Sequence, residues 1–141
     1  MTDTVTPKRR SEIMSNIRAK GMKPEMAVRR VAHAMGYRYR LHRKDLPGKP
    51  DLVFPGRRKV IFVHGCFWHQ HSDPACRIAR RPKSNRHYWL PKLKRNVARD
   101  AEHQAELAEL GWRVLVIWEC DVVGNRGIAD RIRSFLERSD D

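Results

Sequence analysis

Apolar residues in "PEMAVRRVAHAMG", 24–36, recur at Val28, Val31 and Met35, the spacing of one helix face, with Pro24 suited to a first turn and Gly36 to an exit. An amphipathic helix packed on a sheet is expected there. Downstream the period changes to two: "YRYRLH" alternates, "DLVF" is a short β run after the turn-forming "LPGKP", and "KVIFVH" follows "PGRR". Three strands should therefore follow the helix. Residues 65–86 are irregular and contain Pro74 and Pro82, after which a polar helix runs over about 87–110, tolerating Pro91 near its start and closing at Gly111. "WRVLVIW" is the clearest buried strand, and a last helix is expected near 128–138. The order α-β-β-β-α-β-α predicts an α/β sandwich with one mixed sheet and flanking helices. A further short helix over about 11–19, with Ser11 as N-cap and Ile13, Met14 and Ile17 on one side, follows a basic arm containing proline. A chain of 141 residues can bury a core without disulfides, which divides it into an arm and helix over 1–22 and a single domain over 23–141.

Charge narrows the function classes. Thirty Lys and Arg against sixteen Asp and Glu give a net charge of +14, which points to a polyanionic partner, nucleic acid first. Binding to anionic lipid would favour an amphipathic anchor or an apolar span, and the apolar runs here are only a few residues long. The first residues, "MTDTVTPKRRSEIMSN", lack the apolar block of a signal peptide, so an intracellular protein is expected, cytoplasmic and nucleoid-associated in a prokaryotic-type cell.

Three cysteines in a reducing compartment suit metal or catalytic use better than disulfides. Cys66, His71, Cys76 and Cys120 would supply three thiolates and an imidazole, a full tetrahedral zinc shell, although the spacing also allows His69 in place of His71. Such a shell leaves no open position for water, so this metal would be structural, tying an irregular loop to the sheet; inert buried thiols are the ordinary alternative. Chemistry then belongs elsewhere. "GKPDLVF" puts Asp51 at the start of a strand; pairing with "KVIFVH" would bring it near Val63, His64 and the loop of His69, and Glu25 in the preceding helix can reach the same end of the sheet. A carboxylate there can hold Mg2+ and an imidazole can take a proton from water. A plain turn aspartate is the competing reading.

Three stretches in order, "LPGKPDLVF", "FVHGCFWHQH" and "LGWRVLVIWEC", with "YWLPKLKRNVARD" before the last, resemble the very-short-patch (Vsr) mismatch repair endonucleases, from about Arg10 to beyond Cys120. The resemblance implies a restriction-endonuclease-like fold and a Mg2+-dependent nick in double-stranded DNA, 5′ of the thymine of a T·G mismatch left by deamination of 5-methylcytosine. It implies Asp51 as the principal metal-binding carboxylate, His69 as the general base or its partner, His64 and Glu25 completing the site, and the Val63 backbone carbonyl as a metal ligand. Cys66, His71, Cys76 and Cys120 match the zinc positions, which selects His71 over His69. Two departures stand out: Val63-His64-Gly65 replaces the Glu-x-Lys usual in nucleases of this fold, a trait of the Vsr family itself, and "HSDPAC" is a longer loop than expected before Cys76.

Phe67, Trp68 and Trp89 are then candidates to wedge into the base stack at the mismatch, where a weak T·G pair opens at less cost; simple packing is the competitor. Trp112 and Trp118 are assigned to the core. Lys92 and Asn96, one helical turn apart, carry donors suited to a wobble pair. Met14 and the basic residues Lys8, Arg9, Arg10, Arg18 and Lys20 would clamp the duplex from the other groove, and Asp100 is a candidate to orient a histidine. A monomer suffices to nick one strand, and the mismatch ties the protein to a cytosine-5 DNA methyltransferase and downstream repair proteins. The rival readings are a zinc-stapled module that binds distorted DNA without cutting, and a restriction-type nuclease on matched sites.

Overall fold

The structure, a computed structural model, describes residues 23–41, 43–73, 76 and 84–138. The arm over 1–22, with the expected helix and Met14, lies outside the described residues. The elements are α1 (Pro24–Ala34), β1 (Leu52–Phe54), a single 3-10 turn (Pro55–Arg57), β2 (Lys59–His64), α2 (Arg86–Glu109), β3 (Arg113–Trp118), α3 (Glu119–Val123) and α4 (Ile128–Glu137). The three strands form one mixed sheet in the order β1-β2-β3, with β1 antiparallel and β3 parallel to β2.

Alternation along the strands sends each side chain to one of two cores. Leu52, Phe54, Ile61 and Ile117 pack with Val28, Val31 and Met35 of α1 and with Ile132 and Leu136 of α4. Val53, Val60 and Phe62 face the other way, onto Leu107 of α2 and Trp112. Both faces of the sheet are therefore covered, which explains why "KVIFVH" is buried at every position but Val63, which is partly so. Pro91 sits inside α2, and the helix continues through it for its full 24 residues.

Among the described residues of "YRYRLH" the expected strand does not form, and Arg40 alone pairs, in an isolated antiparallel bridge to Val53. Tyr37 is drawn instead into the α1/α4 core, where its hydroxyl donates to Glu137 Oε1 at 2.9 Å, and Tyr39 lies edge-on to Phe54. Aromatic burial at alternate positions imitated a strand. The short helix α3, which carries Cys120, was not foreseen.

The loop between β1 and β2 closes through Arg58 in the left-handed region at φ 53°, its guanidinium over the Trp112 ring and donating to the Leu110 carbonyl at 2.7 Å. At the start of β2, Lys59 is 3% exposed, and its ammonium donates to the carbonyls of Phe135, Leu136 and Arg138 at 2.8, 3.3 and 2.7 Å. A buried cation thus satisfies the open carbonyls at the end of α4 and complements its dipole.

Candidate active site and metal centre

At the opposite end of β2 the backbone leaves the sheet at Gly65 and turns tightly. His69 N–H donates to the Gly65 carbonyl and His71 N–H to the Cys66 carbonyl, with Gln70 at φ 48°. These bonds distribute the side chains of 64–71 in three directions: toward a cavity, toward a sulfur cluster and toward a surface.

The cavity has a volume of about 200 Å³ and is lined by Asp51, Val63, His64 and His69, among others. Asp51 Oδ2 accepts the Val63 N–H at 2.7 Å. Continuing the β1/β2 register sets Pro50 opposite Val63, and a proline has no N–H to offer the Val63 carbonyl, which points to the same side as its N–H. Asp51 and that carbonyl are hard oxygen donors of the kind Mg2+ takes. Burial, and then the charge of Glu25, push the Asp51 carboxyl above its usual range, opposed mainly by the Val63 hydrogen bond. A cation beside Asp51 would relieve both costs. Glu25 is half-buried in the first turn of α1, with Arg29 at 3.9 Å, and is not part of the cavity wall.

His64 and His69 stack with ring centroids 3.9 Å apart and planes at 5°. His69 Nδ1 is 2.5 Å from Asp100 Oδ2. A carboxylate can only accept, so Nδ1 carries a proton, and in the neutral ring Nε2 presents its lone pair. Burial, then the neighbouring His69, lowers His64 to about 4, so its ring is neutral near pH 7. Asp100 is thereby the orienting partner of one histidine, on the α2 face that also carries His103. Sequence reasoning did not single out His103 or Lys49, which line the same cavity. The spacing Asn96, Arg99, Asp100, His103 marks one helical face and would have found the first of them.

Away from the cavity, Cys66, His71, Cys76 and Cys120 bring their ligand atoms within 4.8 Å of one another. His71 Nδ1 is 3.3 Å from Cys120 Sγ and 3.8 Å from Cys66 Sγ. A tetrahedron with Zn–S of about 2.3 Å and Zn–N of about 2.05 Å has edges of about 3.6 to 3.8 Å, so these two imidazole–sulfur distances lie within a few tenths of an ångström of a zinc shell. Burial pushes the Cys66 thiol up to about 12 and raises Cys120 as well, so a cation is what would make thiolates of them. His71 stacks on Trp118, centroids 4.2 Å apart, so Trp118 backs this cluster rather than filling the main core. His69 faces the cavity and Asp100, which leaves His71 as the imidazole of the cluster.

On the surface, Phe67, Trp68 and Trp89 pack edge to face with centroids 5.3 to 5.6 Å apart. Trp68 is 45% exposed. Asn96 Nδ2 donates to the Trp68 carbonyl at 3.3 Å, tying this cap to α2, while the Lys92 ammonium lies over the Tyr88 ring and donates to its hydroxyl. Asn96 therefore supports the aromatic cap, and Lys92 lies one turn away on the same helix.

Attack of water on a phosphodiester requires a base with a free lone pair, oxygen donors for a hard cation and a surface that draws in a polyanion. The first two meet beside β2 and the net charge of +14 suits the third, an arrangement that points to a class: hydrolases of nucleic-acid phosphodiesters. Known proteins narrow it. The sequence model of the family described as DNA mismatch endonuclease Vsr matches residues 2–75. Among similar proteins are the type II nicking enzyme V.XorIIP of Xanthomonas oryzae, 52% identical over 99% of this chain and 100% of that protein, and V.NmeAIP of Neisseria meningitidis, 38% identical over 100% and 99%. The DNA mismatch endonuclease Vsr of Escherichia coli is 37% identical over 92% of this chain and 81% of its own length. The chain belongs to the Vsr family of DNA mismatch endonucleases and is a DNA nicking endonuclease. Membership sets aside the binding-only reading.

Proposed function

We propose that this enzyme nicks one strand of double-stranded DNA 5′ of the thymine in a T·G mismatch, opening very-short-patch repair of deaminated 5-methylcytosine. The observation that carries the reading is the shared backbone of 64–71: the imidazoles of the cavity and the exposed Trp68 are held by the same tight turn. A ring wedged beside a weak pair would fix the scissile phosphate at a set distance from His69.

In this reading His69 Nε2 accepts the proton of the attacking water, and Asp100 holds the ring in the tautomer that allows it. His64 fixes the plane of His69 by stacking. Asp51 and the Val63 carbonyl would hold Mg2+, with Glu25 adding negative charge nearby; the ion would supply neutralisation of charge on the phosphoryl oxygens and the leaving oxygen. Zinc at Cys66, His71, Cys76 and Cys120 has a structural role, fastening the turn to α3. Phe67, Trp68 and Trp89 read the ease of opening, Lys92 and Asn96 border the mismatch, and Met14 with the basic arm over 1–22 grips the other groove. The fold is read as a restriction-endonuclease-like three-layer sandwich, which the helices on both sheet faces support. A monomer of domain 23–141 plus the arm suffices, working in the cytoplasm beside the nucleoid, downstream of a cytosine-5 methyltransferase and upstream of repair synthesis.

Cleavage of an end-labelled duplex bearing one T·G pair in a panel of flanking contexts, with Mg2+ and then with EDTA, tests it. The expected product is a Mg2+-dependent nick immediately 5′ of the mismatched T. Double-strand cutting of matched DNA would establish the restriction-type reading instead.

A further inference from the structure

Beside the catalytic cavity opens a second one of about 520 Å³, walled on one side by the turn over 43–49 and on the other by the Asn96–His103 face of α2. The two cavities share Gly48, Lys49, His69, Asp100 and His103. Its cations are Lys44, Lys49 and Arg99, and its one carboxylate, Asp100, is taken up by His69. Among the described residues none of the three cations is in an ion pair, and Lys44, Lys49 and Arg99 are exposed. The acid of the turn, Asp45, is held by both arms of Arg43 at 2.7 Å and leaves its lysine neighbour uncompensated.

The turn is also fixed in place. Lys49 N–H donates to the Leu46 carbonyl at 3.2 Å, and Leu46 is buried against the α2 core. Gly48 takes φ +76°, and a Cβ there would lie 3.0 Å from the Cβ of His103 and 3.1 Å from its Nδ1. Only glycine lets the turn approach α2 so closely. Lys49 itself has φ 50°, a region side chains seldom occupy, directly before Pro50 and Asp51. Its position is therefore set by the backbone on both sides.

We propose that Lys44, Lys49 and Arg99 clamp the phosphodiester backbone of the nicked strand next to the scissile phosphate, with Lys49 at the boundary of the two cavities as the residue that sets phosphate register. This deepens the nickase reading and rests on it for the identity of the cut strand. Glu-x-Lys is absent from β2, whose one lysine, Lys59, is buried at its other end, so a lysine arriving from the turn before β1 supplies positive charge at the Asp51 end. The clamp positions the strand, and His69 and Asp51 perform the chemistry.

The test uses the full chain and its variants Lys49→Gln, Lys44→Gln and Arg99→Gln. Duplex binding in EDTA is followed against salt, on matched and T·G DNA alike. Each lost phosphate contact should lower the slope of log affinity against log salt by roughly 0.9. In parallel, single phosphates of the nicked strand flanking the cut are replaced one at a time by neutral methylphosphonates. Wild type should lose about 10-fold in kcat/KM at one or two of these positions, and Lys49→Gln should be indifferent to the same replacements because its partner is already gone. Lys49→Arg should restore the sensitivity. Unchanged salt slopes in all three variants, or equal methylphosphonate sensitivity in wild type and Lys49→Gln, would overturn the clamp. Because the slopes are also read on matched DNA, the clamp is tested even if cleavage at T·G fails.

Discussion

Replacing Trp68 by Ala separates a wedge from a packing residue. An indole covers roughly 250 Å², and Trp68 is 45% exposed, so about 110 Å² is available to be covered by DNA. At about 25 cal/mol per Å² that surface contributes close to 3 kcal/mol, about 100-fold in affinity as an upper bound. The cost of unstacking is subtracted from it, and that cost is smaller at a T·G step than at a paired one. Insertion then occurs at the mismatch and not in matched duplex, so Trp68→Ala should weaken T·G binding by 10- to 100-fold and leave matched binding within about 3-fold. Fluorescence anisotropy in EDTA, on duplexes differing only in T·G against T·A, measures both. The part of the ring already packed on Phe67 and Trp89 predicts a small loss of thermal stability alongside. Equal loss on both duplexes would refute the wedge and return Trp68 to packing.

Cys120→Ser should reduce bound zinc from one ion per chain to a small fraction in native mass spectrometry and lower the melting temperature, since metal affinity at such a site is folding energy; retention of one tightly held ion would refute the ligand set. Lys59→Met, which removes the ammonium from the carbonyls of Phe135 and Arg138, should cost roughly 1 to 3 kcal/mol in urea unfolding with little change in DNA binding. Arg43, by its hydrogen bonds, holds the exposed Asp45 carboxyl down at about 2, from 3.8. The stabilisation from that pair is present above pH 3.8 and fades as the pH falls through about 2. A carbon-13 titration should place its midpoint near 2 and, in Arg43→Ala, back near the ordinary value; an unmoved midpoint would refute the pairing.

The elements with a strong period were legible in the chain. Val28, Val31 and Met35 marked α1, and β2 and β3 were marked by apolar runs between turn residues. "YRYRLH" misled because alternating tyrosines bury equally well in a strand or in a packed loop, and only the partner of Tyr37, a hundred residues away, decides between them. The three thiols and the imidazole that the fold gathers into one cluster were visible by residue type. The choice between His69 and His71 was not fixed by spacing, because it depends on which way a tight turn points each ring. The place of Lys49 in the cavity wall was invisible for a related reason: it arises where a glycine at positive φ meets a helix, a contact that leaves no period in the sequence, whereas His103 sits on a helical face the spacing does mark.

The turn over 64–71 gives alternate neighbours to three different tasks: His64 and His69 to the cavity, Cys66 and His71 to the sulfur cluster, Phe67 and Trp68 to the surface. A substitution in it changes one task, whereas inserting or deleting a single residue would rotate every later side chain out of its direction and disturb all three together. Relatives should therefore vary this stretch in composition but never in length, and the freedom to lengthen the chain should fall outside it.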